Sequence, residues 1–95
     1  MEISVTSNHI QITGNIKTVD DFQNIKRVFD NLISQNKSLV VNIPDSLSIT
    51  SSVIGYFNKL VLKDGIELRL KIGNEELLSL LDDLGLTSTL KATRA

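Results

Sequence analysis

The stretch from Glu67 to Ile72 alternates charged and apolar residues without a break, and this alternation constrains the fold more than any other feature. Successive side chains of a β-strand point to opposite faces, so the apolar residues share one face and the charged residues share the other. A charged face of a sheet is exposed to water. In a sheet with helices on both faces, by contrast, the strands are continuous apolar runs in the sequence. We therefore expect the helices to pack mainly on one face, which disfavours flavodoxin-like and response-regulator-like folds.

Apolar periodicity elsewhere switches between the spacing of strands and that of helices. It predicts a β-hairpin over 3–12, a helix opened by Thr18, the most central strand over 39–43, a helix starting near Thr50, the strand over 67–72 and a helix after Asn74 that Gly85 closes. Residues 86–95 are expected to hold a short strand or helix around Leu90. The predicted fold class is α/β, with a mixed four- to five-stranded sheet that starts with a hairpin and carries its helices mainly on one face.

Each of these elements has an expected buried face. In the hairpin, Ile3 and Val5 alternate with polar neighbours, which predicts a half-buried strand. The inward residues of the second helix are expected to be Val53, Ile54, Phe57, Leu60 and Val61, and those of the third Leu77, Leu78, Leu81 and Leu84.

Size and charge limit the classes of function. The 95 residues suit a single domain over 1–95, and the formal net charge of −1 offers no field that would attract nucleic acid or an anionic membrane. No cysteine is present, which excludes disulfides, thiol nucleophiles and cysteine-based metal sites. No apolar run is long enough to span a membrane, and the first residues lack a secretory pattern, so we predict a cytoplasmic protein without membrane insertion.

Residues with catalytic potential are sparse. His9 is the one histidine and lies in a predicted turn, without the partners of a catalytic triad. The adjacent acidic pairs at 20–21, 75–76 and 82–83 diverge on a helix, and the first two suit the dipole of a helix start. No glycine-rich phosphate loop occurs. We therefore expect no enzyme activity, no metal and no cofactor.

Hydroxyl residues concentrate between the predicted central strand and the second helix, over residues 46–52. Serine and threonine are preferred helix caps, so one interpretation is purely structural. The other is functional, because a hydroxyl at a helix start beyond the carboxyl end of a strand lies at the usual ligand edge of an α/β sheet. Phosphorylation there would add roughly −1.5 to −2 charges, which the helix dipole tolerates.

The run Val40-Val41-Asn42-Ile43, a six-residue loop and then Thr50-Ser51-Ser52-Val53-Ile54-Gly55 resembles the STAS domain of bacterial anti-sigma factor antagonists. The likeness extends over residues 3 to 90 in the order and spacing of elements. Members of that family bind an anti-sigma factor that is a serine kinase of the histidine-kinase-like ATPase class, and a phosphatase resets them. Thr50 stands where the family usually has aspartate, and Val53 replaces the first glycine of its motif.

The resemblance implies that Ser51 is the phosphorylation site, with Ser52 as second choice. It also implies a partner-binding surface formed by Thr50, Ser51, Ser52, Val53 and Ile54. Two further readings stay open. A non-phosphorylated scaffold, such as the regulatory subunit of a lipid-transport ABC ATPase, is favoured by the departures at Thr50 and Val53. An enzyme or nucleotide-binding domain is the third hypothesis, although the chain offers no phosphate loop.

Overall fold

The computed structural model describes residues 1–95 as five strands and three helices. In chain order these are β1 (Glu2–Thr6), β2 (His9–Thr13), α1 (Val19–Ile33), β3 (Ser38–Ile43), α2 (Ser51–Leu62), β4 (Glu67–Ile72), α3 (Glu75–Asp83) and β5 (Ala92–Arg94). All five strands form one sheet in the order β1-β2-β3-β4-β5. The β1–β2 pair is antiparallel and the other three pairs are parallel.

This strand order fixes where the helices lie. Each helix connects two neighbouring parallel strands, and the chain advances one strand in the same direction each time. Right-handed crossovers that all advance the same way bring all three helices to one face of the sheet. The α/β class, the mixed sheet and the leading hairpin predicted from the sequence are confirmed, and β3 is the central strand of the five.

The core is one contiguous layer between the helices and one face of the sheet. It contains 20 buried residues, drawn from all three helices and from β2 to β5. Along β4 the burial pattern alternates strictly, so that Leu70 is buried while Arg69 and Lys71 are exposed. Water therefore meets the other face of the sheet, as the alternation in β4 predicts.

The helices begin where their capping residues predict. The side chains of Thr18, Thr50 and Asn74 each accept a hydrogen bond from the backbone N–H three residues on, which satisfies one orphan donor per helix. Gly65 and Gly85 have φ values of 68° and 72°, in the region that favours glycine after a helix.

Two expectations about packing are wrong. Val5 is exposed because β1 is an edge strand, and Leu84 is exposed because it is the C-cap residue that follows the last turn of α3. The tail forms its strand at 92–94, with Leu90 in the turn before it. None of the three helices combines the length and apolar character needed to cross a membrane.

Candidate functional site

The start of α2 lies at the edge of the sheet where the parallel strands end. Strand β3 stops at Ile43, and residues 44–50 lead from it to the helix. Thr50 has an extended backbone, and its Oγ1 accepts a hydrogen bond of 3.3 Å from the Val53 N–H. The Thr50 carbonyl also accepts the first helical bond, from Ile54, at 3.0 Å. The Thr50 hydroxyl is therefore engaged in capping α2.

The loop before α2 is held by the hydroxyls of two further residues. Ser46 is fully buried, and its Oγ donates to the Ser48 carbonyl at 2.6 Å and accepts from the Ile16 N–H at 3.3 Å. The Ser48 Oγ donates to the Ile16 carbonyl at 3.1 Å. These bonds fix the loop to the segment that precedes α1. They give Ser46 and Ser48 a structural role, as the capping interpretation of the hydroxyl-rich segment expects.

Backbone amides reinforce the same junction from both sides. The Leu47 N–H donates to Asn15 Oδ1 at 2.8 Å, and the Gly14 N–H donates to Asp45 Oδ1 at 2.9 Å. Partners more than 30 residues apart in the chain are thereby joined, which no local sequence pattern indicates. The loop that leads into α2 is thus held in place by several long-range hydrogen bonds.

Ser51 and Ser52 differ from the other hydroxyl residues of this segment. Both are exposed in the first turn of α2, and neither side chain takes part in a hydrogen bond of the structure. The hydroxyls of Thr50, Ser46 and Ser48 are engaged with backbone groups. Ser51 and Ser52 are therefore the two exposed hydroxyls of this segment that are not engaged in a hydrogen bond.

The remaining predicted contact residues divide by burial. Val53 is 0% exposed and belongs to the core, so its assignment to a partner-binding surface is wrong. The cause is the helical period, which turns the third residue after the Thr50 cap inward toward the sheet. Ile54 is half-buried and packs against the core, which leaves part of its side chain at the surface.

The charge at the start of α2 differs from that of the other helices. α1 carries Asp20 and Asp21 in its first turn and α3 carries Glu75 and Glu76, whereas α2 has no acidic residue there. A helix start favours negative charge because its free N–H groups and its dipole are positive. The first turn of α2 therefore has two serines, whereas the first turn of each other helix has two carboxylates.

A shallow depression of about 320 Å³ joins the starts of α1 and α2. Its lining comprises Lys17, Thr18, Val19, Phe22, Gln23, Thr50 and Ser52. Val19 is 71% exposed, and Lys17 is exposed beside it. The sequence did not indicate Lys17, Val19 or Phe22 as site residues, because their proximity to α2 arises only from the packing of two helices.

Asp21 is occupied with capping α1. Its carboxylate accepts hydrogen bonds from the backbone N–H groups of Lys17 at 2.9 Å and Thr18 at 3.1 Å. These two bonds lower the pKa of Asp21 below its usual value. Asp21 is thus a structural carboxylate, and the Lys17 ammonium remains without a salt-bridge partner next to the depression.

Aromatic packing fixes the two helices that form this site. The rings of Phe29 and Phe57 lie 5.2 Å apart between α1 and α2, and Phe22 and Phe29 both meet the Tyr56 ring edge-on. The Tyr56 hydroxyl donates to Asp30 Oδ1 at 2.5 Å. Edge-on and offset aromatic pairs add stabilisation beyond their buried area. The starts of α1 and α2 are therefore held at a fixed spacing.

The structure brings no other candidate residues together. His9 is exposed at the start of β2, and no three histidine, aspartate or glutamate side chains converge as metal ligands would. In comparisons with known proteins, no family model matches this chain and no curated protein matches it.

Proposed function

We propose that this chain is a regulatory binding protein of the STAS type, an anti-sigma factor antagonist that binds an anti-sigma serine kinase and is switched by phosphorylation of Ser51. The supporting observation is that Ser51 presents an exposed, unengaged hydroxyl in the first turn of a capped helix. Because the kinase uses ATP, the proposal places this protein in the cytoplasm. A phosphatase would reverse the modification.

The proposed reaction is a phosphoryl transfer. The Ser51 Oγ attacks the γ-phosphorus of ATP bound to the kinase and forms a new oxygen–phosphorus bond. The bond between the γ-phosphorus and its bridging oxygen breaks, ADP leaves, and the hydroxyl proton passes to a base of the kinase or to water. The kinase supplies ATP and the catalytic groups, and this chain supplies the acceptor hydroxyl.

The site favours a change of charge without a change of fold. A phosphoserine carries roughly −1.5 to −2 charges at neutral pH. The first turn of α2 holds no carboxylate that would repel this charge, and the positive end of the helix favours it. The loop below is fixed through Ser46 and Ser48. We therefore expect phosphorylation to alter the electrostatics of the partner surface while the backbone stays in place.

Intact mass after incubation with ATP and the cognate kinase tests the proposal. Wild type is expected to gain one phosphoryl group, Ser51→Ala none, and Ser52→Ala one. Ser52→Ala is a matched control, because both serines are exposed neighbours in the same helical turn. A phosphoryl group that persists in Ser51→Ala, or never appears on wild type, would contradict the assignment.

Exposed apolar side chains beside the serines favour a second candidate function, that of a scaffold that binds its partner without phosphorylation. Val19 is 71% exposed, and Phe22 lines the same depression. A subunit that regulates a lipid-transport ABC ATPase would use such a surface constitutively. A pull-down distinguishes this candidate from the kinase partner. The scaffold is supported if wild type and Ser51→Ala both recover an ABC ATPase and Val19→Lys does not recover it.

A further inference from the structure

The outer edge of the sheet at β1 is open. β1 pairs with β2 on one side and with no strand on the other. It has no proline, no lysine and no bulge, and the residues Ile3, Val5 and Thr6 are β-branched. Edge strands of monomers are usually shortened, charged or bulged to prevent pairing. β1 is a regular five-residue edge with one charged residue, Glu2.

The opposite edge is better protected. β5 has three residues, and its Arg94 forms an ion pair of 2.8 Å with Glu75 of α3. Short edge strands with charged side chains are poor templates for another strand. The two edges therefore differ, and β1 is the one suited to pairing.

The hairpin geometry determines which backbone groups of β1 point outward. A two-residue loop, Ser7-Asn8, joins Thr6 to its partner His9, and Ser7 has a φ of 57°. The pair that flanks such a loop is hydrogen-bonded, and bonded and non-bonded pairs then alternate. Ser4 therefore bonds to β2, while the N–H and C=O groups of Ile3 and Val5 point away from the sheet.

Apolar side chains lie beside these outward backbone groups. Val5 is 42% exposed, and it shares a depression of about 360 Å³ with Val28 and Leu32 of α1. Ile3 and Val28 line a second depression of about 220 Å³. An edge that combines free backbone groups with adjacent apolar surface has the features of a strand-pairing interface.

We propose that β1 pairs antiparallel with β1 of a second copy of this chain, about a two-fold axis at Ser4. In this register Ile3 lies opposite Val5 of the second copy, so their outward N–H and C=O groups form the ladder and their side chains meet on the helix-bearing face. Glu2 lies opposite Thr6, and no like charges face each other across the axis. The edge is therefore complementary to itself.

Charge also favours a second copy as the occupant. The α1 residues in the two depressions include a single charged one, Arg27, beside Asn24 and Asn31, and Gln35 follows the helix. The chain's formal net charge is −1, so two copies repel each other only weakly. Pairing would join the two sheets into one of ten strands and bring Val5, Val28 and Leu32 of both copies into one apolar strip.

Sedimentation equilibrium of the full chain tests this pairing. Wild type is expected to sediment at twice the 10.5 kDa of one chain. Val5→Lys is expected to sediment as a single chain, with the dimer dissociation constant raised by more than about tenfold. Leu80→Lys on α3 is the matched control, because Leu80 is 44% exposed against 42% for Val5, and it should remain a dimer.

A second variant addresses the backbone. Val5→Pro removes an outward N–H at an edge strand, where proline is tolerated, and is also expected to be monomeric. Hydrogen exchange of wild type gives a readout that needs no variant: the Ile3 and Val5 amides should exchange more slowly in concentrated than in dilute protein. Circular dichroism verifies that each variant is folded.

Three results would overturn the pairing. They are a monomeric wild type at hundreds of micromolar, a folded Val5→Lys variant that remains dimeric, and exchange at Ile3 and Val5 that is independent of concentration. A wild type that is monomeric alone but captures a peptide strand would assign the edge to a foreign partner instead. None of these outcomes bears on Ser51, which lies on a different element.

Discussion

At the scale of single residues, the contact between Tyr56 and Asp30 shows how a polar pair supports the apolar junction of α1 and α2. Tyr56 is buried among aromatic rings, and its hydroxyl reaches the half-exposed Asp30 carboxylate. Burial raises the pKa of Tyr56, and its hydrogen bond to Asp30 raises it further. Hydrogen bonds from Lys26 and Tyr56 lower the pKa of Asp30. The pair therefore consists of a neutral phenol and an ionised carboxylate across the neutral pH range.

We predict that Tyr56→Phe reduces the free energy of unfolding by about 1 kcal/mol at neutral pH, because it removes a hydrogen bond to a charged group and keeps the ring. A lowered pKa stabilises the fold above the unfolded value near 3.8. That stabilisation disappears as pH falls through the folded value. Urea unfolding at several pH values should thus show that the free energies of unfolding of wild type and Tyr56→Phe converge in acid. A difference that grows in acid would contradict the hydrogen bond between Tyr56 and the ionised Asp30.

Two glycines give opposite predictions for the same substitution. A Cβ at Gly73 would lie 1.9 Å from the Pro44 carbonyl oxygen, whereas one at Gly55 would meet no atom within 4 Å. Gly55 lies inside α2, where alanine is the better helix former. We expect Gly73→Ala to destabilise by about 2 kcal/mol or more and Gly55→Ala to stabilise by about 0.5–1 kcal/mol. Thermal unfolding measures both, and shifts of the same sign would contradict the local geometry.

At the scale of elements, helix starts could be predicted and the roles of neighbouring hydroxyls could not. Thr18, Thr50 and Asn74 cap their helices because a cap depends on local backbone and side-chain chemistry. Ser46 and Ser51 are the same residue type five positions apart, yet one is buried and the other exposed. The difference comes from bonds between the loop and Ile16, which lies 30 residues away.

The same limit applies to the edges of the sheet. The alternation of β1 predicts a strand but does not reveal that α1 leaves Val5 42% exposed, since coverage depends on strand order. The three residues of β5 include one buried side chain, Ala92, which is too short a pattern to detect. The central alternation in β4, by contrast, predicted the one-sided packing correctly because six residues repeat it.

At the scale of the whole molecule, the one-sided arrangement of helices makes the two faces of β4 respond differently to the same new side chain. Leu70 is buried between sheet and helices, while Arg69 is on the water-facing side in an exposed ion pair with Glu67 at 3.3 Å. Leu70→Asp and Arg69→Asp each place aspartate in the same strand, so their difference isolates burial from strand propensity. An unpaired carboxylate in the core is strongly unfavourable.

We expect Leu70→Asp to lower the free energy of unfolding by about 4 kcal/mol or more, and Arg69→Asp by about 1 kcal/mol or less, because exposed ion pairs contribute little. Since about 1 kcal/mol corresponds to roughly 4–8 °C in a domain of this size, thermal melting separates the two variants readily. Equal shifts would mean that the charged face of β4 is covered as well. A helix or a partner would then cover that face. Such coverage would contradict the one-sided fold, in which every crossover runs over the same side of the sheet.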